Sequence, residues 1–148
     1  MKRAVMRNVV AVAILAALVA VPAAAQSAAD SAAIRATAMD YIEGWYTGNA
    51  ERMERALHPD LAKRIVFRNN AREQFSHMTA EQLVGATRAG GGTRTPESQR
   101  QMDVTILDMF RGAASVKVVA DQWIDYLHTA EYGGRWVIVN VLWELKDS

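Results

Sequence analysis

Two side chains able to move a proton or donate a hydrogen bond, Tyr126 and His128, stand two residues apart in an alternating run, so a β-strand would place them on one face. An imidazole titrates near neutral pH and can act as acid or base, and a phenol beside it can polarise a carbonyl. The other histidines, His58 and His77, form no ligand pair at helical or strand spacing, so no metal site is expected, and none of the motifs that hold an organic cofactor is present. His58 and Asp60 around Pro59 could both bind an ion, but a proline-flanked helix end is more often just a turn. The 148 residues include no cysteine, which excludes thiol chemistry and disulfides, and no G-x-S-x-G elbow for a serine hydrolase. Gly90-Gly91-Gly92 lacks the Lys-Ser/Thr that completes a phosphate loop.

The helices and strands that must position these groups follow from periodicity. Ile34, Ala38, Tyr41, Ile42 and Trp45 recur at helical spacing, with Asp30 or Ser31 as the expected N-cap and Gly48-Asn49 as the stop. Asn49 can cap a second helix, Ala50 to Leu57, ended by His58-Pro59. Leu61 to Phe67 reads as extended and Arg68 to His77 as a polar loop. Thr79-Ala80-Glu81-Gln82 fits a capping box that opens a third helix running to about Arg88. Ala89 to Glu97, with its triple glycine, reads as the most mobile stretch. Arg52, Arg55, Lys63, Arg64 and Arg68 interleave with Glu51 and Glu54 as a solvated face and receive no site.

From Gln101 the period becomes that of strands: Met102, Val104 and Ile106 alternate, Arg111-Gly112 turns, and Ser115 to Val119 is valine-rich. The runs Trp123–Glu131 and Trp136–Leu145 flank Tyr132-Gly133-Gly134-Arg135, whose glycines suit a two-residue hairpin turn. Counting from Tyr132 opposite Arg135 puts Ile124, Tyr126, His128, Val137, Val139, Val141 and Trp143 on one face. The other carries Trp123, Asp125, Leu127, Thr129, Trp136, Ile138, Asn140 and Leu142. The first face, an apolar wall with a phenol and an imidazole, has the composition of a small-molecule pocket. Three helices before an antiparallel sheet give an α+β order.

Charge and hydropathy add the compartment. Residues 1–25 hold Lys2, Arg3 and Arg7, no acidic residue, and a 13-residue apolar run from Val9 to Val21, followed by Pro22-Ala23-Ala24-Ala25. This is the three-part pattern of a secretory signal cleaved near Ala25, and the run reaches only about 20 Å as a helix, short of a bilayer core of roughly 30 Å. A periplasmic or secreted domain, residues 26–148, with no stable membrane anchor is the expectation. Three of the 17 basic residues leave with the leader, so the remaining 14 face 16 acidic residues. A net charge of −2 argues against nucleic acid as a partner.

The strings Y-x-x-G-W-Y-x-G-N from Tyr41 to Asn49, M-E-R-A-L-H-P-D from Met53 to Asp60, and G-R-W-V-I-V-N-V-L-W from Gly134 to Trp143 resemble the nuclear transport factor 2-like superfamily, and most closely its branch labelled putative lumazine-binding. The resemblance covers Ala32 to Leu145. It implies a cone of three helices on a strongly curved mixed, mainly antiparallel sheet, enclosing an apolar cavity, commonly as a homodimer. Ketosteroid isomerase and the SnoaL-like cyclases belong to the same superfamily. Tyr41-Ile42-Glu43 through Gly48-Asn49 matches the isomerase string that carries its oxyanion-donating tyrosine, and Tyr126 falls where that enzyme has a protonated aspartic acid. The isomerase base should follow the H-P-D corner by about five residues, where Arg64-Ile65-Val66 stand instead.

Three functions follow as expectations. The first is a binding domain for a small apolar or heteroaromatic molecule, lined by Tyr41, Trp45, Tyr126, Val139 and Trp143 with His128 as a further polar contact. The second is an isomerase, cyclase or dehydratase with His128 as acid/base, or Asp60 in its place, and Tyr41 and Tyr126 as donors. The third is an interaction module whose cone is filled by Trp45, Met53 and Trp143.

Overall fold

The computed structural model describes residues 23–69 and 72–146. Three helices pack on one face of a single six-stranded sheet. In chain order they are α1 (Ala23–Thr47), α2 (Ala50–Ala56), β1 (Leu57–Asn69), β2 (Arg72–Thr79), α3 (Ala80–Arg88), β3 (Asp103–Phe110), β4 (Ala113–Val119), β5 (Trp123–Tyr132) and β6 (Arg135–Leu145). The sheet order is β2-β1-β6-β5-β4-β3, with β1 and β6 parallel and every other neighbour antiparallel. This is the expected α+β cone, with an open, curled sheet. Most of the proposed leader lies outside the described residues. Among the described residues no helix is long and apolar enough to cross a membrane.

Helix α1 starts further upstream than expected. The alanine-rich stretch before Ile34 has high helix propensity, so Asp30 and Ser31 lie inside the helix and not at its cap. Ser31 bonds back to the Ser27 carbonyl, and Asp30 accepts from the Trp136 indole at 3.3 Å. The expected stripe is the buried one: Ile34, Ala38, Tyr41 and Ile42 face the sheet together with Tyr46. Thr37 Oγ1 donates to the Trp136 carbonyl at 3.0 Å, and Tyr46 Oη donates to the Gln101 carbonyl while accepting from the Asp121 amide. Asn49 caps α2 through the Arg52 amide, and the Thr79–Gln82 capping box opens α3.

Two segments differ from expectation. The stretch expected to be a polar loop, Arg68 to His77, holds strand in its described part: Arg68 and Asn69 end β1, and Arg72 onward is β2, which pairs with β1 from Ala62↔Thr79 to Asn69↔Arg72. Its side chains are mostly exposed, so no apolar alternation marks it, and its backbone pairing alone makes it an edge strand. The Gly90-Gly91-Gly92 stretch folds back onto Trp45. A Cβ added at Gly91 would come within 2.3 Å of that indole and one at Gly92 within 2.5 Å, so the glycines there permit close packing.

The β5–β6 hairpin closes as counted, with Tyr132↔Arg135 paired and Gly133 and Gly134 at φ of 58° and 76°. Register then changes. Thr129 pairs with Ile138 but His128 pairs with Asn140, so Val139 is an extra residue on β6. Beyond a β-bulge the faces exchange, because side-chain direction has a period of two. The helix-facing surface is therefore Asp125, Leu127 and Thr129 on β5 with Ile138, Val141 and Trp143 on β6; the expected inner face is corrected along β5 and at Ile138, and stands on β6 only beyond the bulge, at Val141 and Trp143.

Candidate functional site

Strand β1 enters the sheet beside β6 with Leu61, Lys63 and Ile65 pointing inward, all three buried. A lysine at the middle of that alternation must be neutralised or paired, because an isolated buried charge is costly. Lys63 Nζ lies 2.7 Å from Asp125 Oδ1, reached across β6, and donates to Tyr41 Oη at 2.6 Å. The second carboxylate oxygen of Asp125 accepts from Trp123 Nε1 at 2.7 Å. The ammonium also lies 4.9 Å from the centroid of the Trp143 ring. These contacts leave none of the buried side-chain nitrogen and oxygen atoms among the described residues without a partner.

Tyr41 and Lys63 of this cluster line one wall of a cavity of about 300 Å³ between α1, α2, α3 and the inner sheet face, while Asp125 holds Lys63 from outside the lining. Trp45, Met53, Met78, Leu83, Trp123 and Trp143 provide most of the apolar lining. Trp45 and Trp123 meet edge to face with ring centroids 6.5 Å apart, while Phe67 meets Trp143 in the same way at 6.1 Å. Trp45, Met53 and Trp143 thus border open space and do not fill it.

Burial and the neighbouring Asp125 carboxylate push the Tyr41 phenol well above its ordinary value of 10.0. Tyr41 therefore stays protonated and serves as a donor. Burial lowers Lys63 from 10.5, opposed by its attraction to Asp125. The site thus holds a neutral phenol and an amine whose charge depends on one carboxylate.

The residues named from sequence divide between two faces. Tyr41, Trp45 and Trp143 come together at the cavity. Tyr126 and His128 point to the opposite face of β5, both exposed, and Val139 occupies the bulge. Asn140 bridges His128 Nδ1 and Arg64 on that outer face. A joint role for His128 and Tyr41 at one ligand is corrected by this geometry. Asp60, the substitute base, is exposed on the outside of the H-P-D corner, where its amide donates to His58 Nδ1 at 3.0 Å. His58 packs against the Tyr132 ring at 4.5 Å, bracing the hairpin turn.

Lys63 and Asp125 were missed. The sequence placed Lys63 among solvated basic residues, a reading the structure fits for its neighbours: Arg52 and Arg55 hold Asp40, and Arg68 pairs with Glu144. The signal for Lys63 was the parity of Leu61, Lys63 and Ile65 within a segment already read as extended. Among the described residues no three His, Asp or Glu side chains converge as a metal ion requires.

A larger groove of about 480 Å³ lies between α2, α3 and the hairpin, lined by Glu54, His58, Glu81, Arg88 and Arg135 among others. Its charged side chains are open to solvent, and the more apolar, aromatic-lined cavity is the better candidate for ligand recognition.

Comparison with known proteins follows the same outline. Residues 29–144 match the family model described as putative lumazine-binding. No curated protein matches the chain. Among solved structures, a nuclear transport factor 2-like protein from Shewanella baltica superposes with a TM-score of 0.65 at 16% identity, covering 82% of this chain and 97% of that one. One with a cystatin-like fold from Novosphingobium aromaticivorans gives 0.64 at 13% identity, covering 85% and 88%. A protein from that organism described as a putative scytalone dehydratase gives 0.58 at 11% identity, covering 81% and 86%. At these identities the likeness is one of fold.

Proposed function

Because the chain belongs to the family described as putative lumazine-binding, within the nuclear transport factor 2-like superfamily, we propose that its tryptophan-framed cavity binds a small, planar, largely apolar or heteroaromatic molecule. The observation that carries this reading is the pairing of an aromatic lining with a buried polar wall, Tyr41–Lys63, whose ammonium is held by Asp125. Both carboxylate oxygens of Asp125 are engaged within the protein, so the groups the wall offers a ligand are N–H and O–H donors. They suit a ligand with a carbonyl or phenolate oxygen at one end and ring faces for Trp45, Trp123 and Trp143. The family's name points to a bicyclic heteroaromatic dione, which has that form.

Native mass spectrometry of the purified chain, followed by denaturation and identification of any released compound, tests the proposal. Titration with lumazine while following tryptophan emission is a second arm. A stoichiometric aromatic compound or saturable quenching supports it. An empty chain that no heteroaromatic compound stabilises against heat would sink it.

An enzymatic reading is favoured by the same cluster, which sets a phenol and an amine at one cavity wall with a carboxylate in contact with the amine. The solved dehydratase-like fold supports it only at the level of architecture. Its acid and base would be Tyr41, Lys63 and Asp125, because Tyr126 and His128 face away. Export to the periplasm through residues 1–25 is also proposed, and N-terminal sequencing of the chain recovered from the exported fraction should begin near Gln26. A homodimer through the outer sheet, where Tyr126 and Leu142 are exposed, is the proposed assembly, to be read by light scattering.

A further inference from the structure

Lysine amines are normally kept charged in water, and a lysine held at the wall of an apolar aromatic cavity is in a different position. Lys63 has its nitrogen within 2.7 Å of a carboxylate that can take its proton and within 2.6 Å of a phenol that can give one. We infer that Lys63 is an imine-forming residue: its amine condenses with the carbonyl carbon of an aromatic aldehyde or ketone held in the cavity, with Tyr41 and Asp125 transferring the protons. The inference rests on the reading of this cavity as the ligand site and goes further by naming the bond made there.

Each proton in the condensation has a donor and an acceptor within reach of the Lys63 nitrogen: Tyr41 at the cavity wall, and Asp125 in contact with the amine from outside the cavity lining. Asp125 Oδ1 accepts a proton from the Lys63 ammonium, and the freed lone pair attacks the carbonyl carbon. The carbonyl oxygen takes the Tyr41 phenolic proton and becomes the hydroxyl of a carbinolamine. The added nitrogen returns a proton to the Tyr41 phenolate. Asp125 then delivers its proton to the hydroxyl, which leaves as water while the nitrogen lone pair closes the C=N bond. Ammonium plus carbonyl gives protonated imine plus one water, with Asp125 and Tyr41 back in their starting forms and no oxidant or reductant. Burial acts in the required direction, since it lowers the proton affinity of Lys63. Trp123 Nε1 holds the other carboxylate oxygen, which keeps Oδ1 aimed at the amine. The remaining described lysines lack this setting: Lys146 is exposed and bonded to Gln101 and the Asp121 carbonyl, and Lys117 is half-buried on β4.

The test uses the full chain with 2-naphthaldehyde as probe. Binding is first followed by quenching of tryptophan emission without reductant. Cyanoborohydride is then added at neutral pH to reduce any imine, and the labelled lysine is located by peptide mapping. The expected result is one naphthylmethyl group per chain, on Lys63 before Lys117 or Lys146, with Lys63→Arg unlabelled at that peptide. Tyr41→Phe, which keeps the cavity's shape, should slow labelling by about 100-fold, the usual scale for loss of a proton donor. Saturable binding with label confined to exposed amines overturns the imine and leaves the cavity reading standing. Neither binding nor label at Lys63 overturns both. The mapping is done on the wild-type chain, so its outcome does not depend on any variant folding.

Discussion

Lys63 and Asp125 form an ion pair across β6, nitrogen to oxygen 2.7 Å, with side chains 9% and 0% exposed. They come from β1 and β5, which never touch each other as neighbours in the sheet. Removing one partner strands the other charge among apolar groups. Lys63→Met or Asp125→Leu alone should therefore cost about 3–5 kcal/mol, while the double variant should cost clearly less than their sum. Urea unfolding of the four proteins checks this, and additive losses would show the pair to be uncoupled.

Stability should fall at both ends of the pH range, for separable reasons. The Arg55 guanidinium, and then Arg52, hold the Asp40 carboxyl below 3.8 against the burial that pushes it up. The unfolded chain then binds more protons in acid, so this contribution is present above about pH 3.8 and is lost as pH falls through the folded value. Asp40→Asn should flatten the acid limb of an unfolding-midpoint profile. At the alkaline end Tyr41 is raised above 10.0, so the folded chain holds its proton longer. That contribution is complete below pH 10.0 and is lost as pH rises through the folded value. Lys63, lowered from 10.5, works the other way, adding stability as pH rises toward that value. The Tyr41 effect is thus read as the difference between wild type and Tyr41→Phe.

Gly91→Ala should disturb the cavity without touching any ligand. The new methyl would lie 2.3 Å from the Trp45 ring, so the indole or the loop must move. A cost of about 1–3 kcal/mol is expected for such overpacking, with a shift in tryptophan emission and weaker probe binding. Unchanged emission and affinity would mean that Trp45 does not depend on this loop for its place.

Tyr126→Phe and His128→Asn should each change stability by no more than about 0.5 kcal/mol, as is usual for exposed positions, and leave ligand affinity where it was. Tyr41→Phe should weaken binding. The reverse ranking, measured by the same fluorescence titration, would show that the ligand lies on the outer sheet.

Those last two variants separate what was legible in the sequence from what was not. The buried stripe of α1, the Asn49 and Thr79 caps and the Gly133-Gly134 hairpin follow from local rules, since each depends on residues within a few positions of one another. The cone and Tyr41, Trp45 and Trp143 were legible for that reason, aided by the family resemblance. A bulge is different: Val139 is one more valine in a valine-rich strand, and nothing local marks it as the residue that steps out of register. That single step put Tyr126 and His128 inside by count and outside in fact. Strand β2 was hidden because its side chains are mostly exposed, and Lys63 because five basic residues between Arg52 and Arg68 look alike until strand parity is applied to Leu61, Lys63 and Ile65.

The position of β6 also constrains the order of assembly. It is the sixth strand in the chain yet lies third in the sheet, bonded to β1 on one side and β5 on the other. A nascent chain that has not yet supplied Arg135–Leu145 can form β1–β2 and β3–β4–β5 as two separate ribbons, each with a bare edge where the sheet's middle should be. Leu57↔Ile138 and Lys63↔Val141 join partners about eighty residues apart, the kind of distant pairing that slows folding. Until that closure the ammonium and carboxylate that face each other in the finished molecule belong to different ribbons, each still hydrated. Desolvation of the pair and creation of the cavity are thus one event, and it belongs to the final strand.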